Sequence, residues 1–151
     1  MRTKILIAVA LTASIVTGGL KASGYQVEET FRSPAAIFTA KQAAAGKAAY
    51  AKDCSSCHLP DLSGENEIPA LAGAPFKATW GPRSTKELYD YMSAAMPYGG
   101  ASLSAESYTT ILAYILEFNG AVAGADPLTA TTGVPIGSVT SARAAVVTPL
   151  P

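Results

Sequence analysis

Apolar and polar positions along this chain predict a leader, three helices and an irregular tail. Ile5 to Val16 is an apolar run of 12 residues behind Arg2 and Lys4. It falls short of a membrane span of ~20 residues, and the small residues Ala22-Ser23-Gly24 follow it. Residues 1–23 therefore read as a secretory signal, cut between Ala22 and Gly24. Residues 24–38 contain Pro34 and read as an extended N-terminal arm.

Thr39 and Gln42 have capping-box spacing and open an Ala-rich helix that runs to Lys52. Gly46 inside it costs ~1 kcal/mol relative to alanine, and marks a place where another helix comes close. Tyr50 lies one turn later on the same face. Residues 59–78 are rich in Gly, Pro and Asn and read as a long loop, of a length that implies a use such as wrapping a large apolar ligand. Ser84 and Glu87 form a second capping box, for a helix from Thr85 to Ala95. Leu88, Tyr91 and Met92 recur there at spacings of three and four. Pro97 ends that helix by pushing Met96 towards extended geometry. After the turn Tyr98-Gly99-Gly100, Ser102 or Ser104 caps a strongly apolar helix that runs to Asn119, with Gly120 as its stop. No strand pattern or internal repeat occurs, so residues 39–120 read as an all-α domain of about three to four helices with long loops. Residues 121–151 carry only Asp126 and Arg143 as charged side chains, together with four prolines. They have no helical period and read as an extended or flexible tail.

Charge narrows the range of partners. Without Arg2, Lys4 and Lys21, eight basic residues face eleven acidic ones, a net charge near −3. That excludes a nucleic-acid partner, which calls for a basic footprint. No second apolar run approaches membrane length, so no transmembrane anchor is expected after signal cleavage.

The chemistry is concentrated in Cys54-Ser55-Ser56-Cys57-His58, which holds both cysteines and the one histidine of the chain. C-x-x-C-H is the pattern of covalent c-type haem attachment. The two thiols form thioether bonds and the adjacent imidazole reaches the iron. A thioredoxin-like redox pair would need a βαβ context, and a structural zinc site about four ligands where this chain offers three. A disulfide over this short spacing would leave His58 unexplained. With one histidine, the opposite face of the iron must take methionine, lysine or an N-terminal amine, or stay open. Met92 lies inside an amphipathic helix and reads as core. Met96 lies just past the helix end, where a side chain can turn inward, and is the better candidate for the iron ligand.

From about Thr39 to Gly120 the chain resembles class I cytochromes c. Gly46 and Tyr50 stand eight and four residues before Cys54, like the Gly and aromatic of that family's first helix. Ile111 and Tyr114 match its last helix, which crosses the first. Pro69 matches the proline whose carbonyl accepts a hydrogen bond from the axial imidazole, and Met96-Pro97 matches the distal ligand segment. More narrowly, Pro69-Ala70-Leu71-Ala72-Gly73, Phe76, Trp80, Leu88-Tyr89, Ser102-Leu103-Ser104 and Ala113-Tyr114-Ile115-Leu116 with Asn119-Gly120 resemble the cytochrome domains that accompany PQQ-dependent dehydrogenases. Gly99-Gly100-Ala101 departs from those domains, which often carry a proline and a glycine there. The resemblance implies one covalent haem c in a class I fold, with His58 and Met96 on the iron. It also nominates Trp80 and Arg83 as donors to the haem propionates, against their plain readings as core and as a solvated charge, and places Tyr98 at the haem edge.

The function implied is a periplasmic one-electron carrier, not an enzyme in its own right. It would accept electrons from a quinoprotein dehydrogenase and pass them to a terminal oxidase or another cytochrome. Two rivals stand beside it: a cytochrome subunit held permanently in a dehydrogenase complex, and a haem enzyme or gas sensor with an open iron position. The last would need a distal polar group, and no second histidine exists to serve.

Overall fold

A computed structural model describes residues 35–141. The signal, residues 24–34 of the arm and residues 142–151 of the tail lie outside them. Six helices occur among the described residues, and no strand: α1 (Ala40–Asp53), α2 (Ser55–His58), α3 (Gly73–Trp80), α4 (Thr85–Ala95), α5 (Ala105–Phe118) and α6 (Ile136–Thr140). None is long and apolar enough to cross a membrane.

Both capping boxes form. Thr39 accepts from the Gln42 amide at 3.1 Å while Gln42 Oε1 accepts from the Thr39 amide at 3.2 Å. Ser84 and Glu87 repeat the arrangement at the start of α4. Ser104, not Ser102, caps α5. Met96 leaves α4 in extended geometry (φ −125°, ψ 146°), as a residue before proline must.

Helix α5 is the centre of the core. Every residue from Tyr108 to Leu116 is buried, so other elements cover it on all sides. The most extensive helix contact is with α1, which turns Ala43, Gly46 and Tyr50 inward. At Gly46 a Cβ would run into the Thr110 carbonyl and stand 3.0 Å from Tyr114 Cβ. Only a residue without a side chain allows this approach. The Tyr50 and Tyr114 rings pack beside it, with centroids 5.4 Å apart.

Two expectations need correction. The loop expected over 59–78 ends early, because α3 begins at Gly73. The body also continues past residue 120. Residues 121–135 form an extended arm laid over the domain, and α6 follows against α3 and α5. Leu128, Ile136 and Val139 from this segment are buried in the core. The arm is held by backbone partners distant in sequence. Gly124 N–H donates to Phe38 O (2.7 Å), Thr85 N–H to Val134 O (2.9 Å), Ile136 N–H to Arg83 O (2.9 Å) and Gly137 N–H to Gly81 O (2.9 Å). The Gln42 amide clamps Leu128 from both sides, accepting from its N–H and donating to its C=O, each at 2.8 Å. Such partners leave no periodic trace in the arm's own sequence.

Candidate functional site

Cys54 caps the end of α1 and the start of the single turn α2. The Cys57 and His58 amides both donate to Cys54 O, at 3.2 and 2.9 Å. That turn carries Cys54, Cys57 and His58 on one side, at helical spacings of three and four. Both thiols are free; Cys54 is half-buried and Cys57 exposed. Burial first, then the Asp53 carboxylate and the Cys57 thiol, push the Cys54 thiol up to about 11. Cys54 is therefore a poor nucleophile at neutral pH, and Cys57 is the accessible thiol of the pair.

The buried His58 ring is fixed from its far side. Its Nδ1 lies 3.0 Å from the Pro69 carbonyl. A carbonyl only accepts, so Nδ1 carries the proton and donates. With Nδ1 engaged in this way, Nε2 is the nitrogen left to serve a metal, which takes its lone pair. The segment around this contact is tightly tied. The Gly64 amide donates to His58 O (3.1 Å) and the Leu71 amide to Leu62 O (2.8 Å). Leu59 has φ 62°, a left-handed value that costs a non-glycine residue about 1–3 kcal/mol. The Tyr50 hydroxyl donates to its carbonyl at 2.7 Å and holds that turn. Burial, then Cys54, Tyr114 and Asp61, raise Tyr50 above the ordinary tyrosine range, so it remains a donor.

Beyond Pro69 the chain is clamped by Asn119 from the end of α5. Its side chain accepts from Gly73 N–H and donates to Leu71 O, both at 2.9 Å. Asn119 therefore locks the segment that offers the Pro69 carbonyl. The sequence offers it as a residue before a helix-stopping glycine and as part of the family resemblance, with no sign of this clamp.

The other expected site residues fall in three places. Met96 is half-buried at the end of α4, before a cis Met96–Pro97 bond, while Met92 is buried in α4 among core residues. Trp80 is buried at the end of α3 and tilted against Tyr91 at 5.5 Å. Arg83 is exposed, and its guanidinium lies 4.9 Å from the centre of the Trp80 ring. These two expected propionate donors are thus in contact with each other. Tyr98 is 94% exposed and projects from the loop after Met96.

A covalently attached haem calls for two thiols and an adjacent imidazole. Two free thiols one turn apart, with an adjacent imidazole oriented by its Nδ1–H bond to Pro69, fit that group. Among the described residues no group of three or more His, Cys, Asp or Glu side chains converges.

Residues 41–115 match the family model described as cytochrome C oxidase, cbb3-type, subunit III. The comparison with curated proteins returns no match. Among solved structures, the sulfane dehydrogenase SoxCD from Paracoccus pantotrophus is similar at 30% identity over 66% of this chain and 51% of that one, with a TM-score of 0.46. The chain thus spans about half the length of that relative.

Proposed function

We propose that this chain, whose residues 41–115 match the cbb3-type cytochrome family model, is a periplasmic one-electron carrier with a single haem c in a class I cytochrome c domain. Cys54 and Cys57 would hold the haem covalently, and His58 and Met96 would supply the ligands to its iron. The observation that carries this reading is the His58 Nδ1–H bond to Pro69 at 3.0 Å beside two free thiols. When bound, the haem supplies a reversible Fe(III)/Fe(II) couple. The protein's part is to present both ligands from fixed backbone, so that little has to rearrange when the charge changes. The Pro69 carbonyl orients the imidazole and raises its basicity. Met96 offers a soft thioether that favours the ferrous state and raises the potential above that of two histidines. Met92 is packed in the core, which supports a structural role for it.

The donor we propose is a PQQ-type dehydrogenase and the acceptor a terminal oxidase or another cytochrome. The narrower sequence resemblance supports this pairing, and the negative charge expected after signal cleavage allows electrostatic docking on a complementary partner.

Intact mass after acid–acetone extraction should retain one haem on the chain; a freely extractable pigment would refute the attachment. The oxidised protein should show the weak near-infrared band of sulfur-to-iron ligation. Met96→Ala should abolish it and lower the potential, and Met92→Ala should keep it. The reverse result would move the ligand to Met92.

A further inference from the structure

Between Asp90 and Glu106 no side chain is charged, and the stretch contains Gly99, Gly100 and the outward-facing Tyr98. Residues 96–103 form a loop with little regular structure. Within it, Gly100 N–H donates to Pro97 O at 3.0 Å, and at its start Met96 N–H returns to Met92 O at 2.9 Å. Neither bond joins the two ends of the loop. That join is made by one hydroxyl from α5. Tyr108 Oη donates to the Met96 carbonyl at 2.6 Å and accepts from the Leu103 amide at 3.1 Å.

The ring that carries this hydroxyl cannot move easily. Tyr108 is 3% exposed, lies on the central helix, and meets Tyr89 of α4 edge-on with centroids 6.2 Å apart. The tie therefore joins three elements: the end of α4, the end of the loop and α5. Each bond satisfies a main-chain group that would otherwise lose its partner.

We propose that Tyr108 is the positioning residue for Met96: its hydroxyl closes the 96–103 loop and fixes the backbone from which the methionine sulfur is presented. It acts on the ligand through the main chain and does not touch the metal. The proposal rests on Met96 being the axial ligand. It adds that the ligand loop is held mainly by a tyrosine twelve positions further on, while Tyr98 and the glycines of the loop contribute no tie between its ends.

The test uses the haem-loaded full chain and Tyr108→Phe, which keeps the ring and removes only the hydroxyl. The near-infrared sulfur–iron band and far-ultraviolet circular dichroism are followed during heating, and amide exchange is measured at Leu103. In the wild type the band should persist until the helices melt, and the Leu103 amide should be protected. In Tyr108→Phe the band should fade before the helices melt, and Leu103 should exchange at least about tenfold faster. A role in packing alone would shift both melting signals together, and that result would overturn the proposal. If Tyr108→Phe fails to fold, wild-type exchange decides: an unprotected Leu103 amide refutes the tie and a protected one supports it. If the wild type lacks the band, the Met96 ligation itself is wrong and the positioning role falls with it. Failure of the ligand and failure of its support are thereby told apart.

Discussion

Gly46→Ala places a single methyl group where α1 crosses α5. Two effects of opposite sign compete. Helix propensity favours alanine over glycine by about 1 kcal/mol. Against that, the new Cβ overlaps the Thr110 carbonyl, a backbone group on the fully buried face of α5, and stands 3.0 Å from Tyr114 Cβ. A flexible side chain could swing away, but a helical carbonyl cannot, so the two helices must separate. Overpacking of a core costs about 1–3 kcal/mol, and a backbone obstacle belongs at the upper end. The balance is a destabilisation of about 2 kcal/mol. In a domain of this size that lowers the melting temperature by roughly 8–16 °C. The control is Ala44→Gly, at an exposed position of the same helix, where propensity acts alone and glycine should cost about 1 kcal/mol. Thermal unfolding of the two holoproteins by far-ultraviolet circular dichroism reads both. The refuting result is Gly46→Ala melting at or above the wild-type temperature, which would mean that propensity wins and the crossing is not close.

Truncation after Gly124 removes Leu128, Ile136 and Val139, all buried. At about 1.5–3 kcal/mol each, an upper estimate, the loss is comparable with the total stability of a small domain. The truncated holoprotein should lose cooperative unfolding, and a wild-type melting curve would show that the arm is dispensable. Glu87 accepts from the Ser84 amide and hydroxyl at 2.8 and 2.7 Å, which holds its carboxyl below the usual range although it is fully exposed. A carboxylate lowered in the folded state stabilises at pH above its unfolded pKa, and that contribution disappears as pH falls through the folded value. The stability gap between wild type and Glu87→Gln should therefore narrow on acidification; parallel acid limbs would contradict the cap.

The sequence determined whatever depends on near neighbours. Thr39 with Gln42 and Ser84 with Glu87 satisfy their own helix ends, so α1 and α4 could be read within a residue of their observed bounds. Cys54, Cys57 and His58 share one turn, and their chemistry follows from that spacing alone. Gly46 declared a crossing because a glycine inside a helix loses stability unless something needs the space. The tertiary structure decided whatever depends on partners far along the chain. Helix α3 has no side-chain cap of its own: it starts at Gly73, whose amide is satisfied by Asn119, 46 residues away. From sequence it looked like loop because its N-terminal signal sits on another helix. Gln42 was legible as a capping residue, but its clamp on Leu128 spans 86 residues. Apart from a turn at Thr129–Thr132, the arm has no period of its own because its hydrogen bonds go to Phe38, Gln42 and Thr85, and α6 is tied in the same way to Arg83 and Gly81. A one-dimensional pattern records the periods of helices and strands; it does not record which distant backbone group a lone amide or hydroxyl will meet.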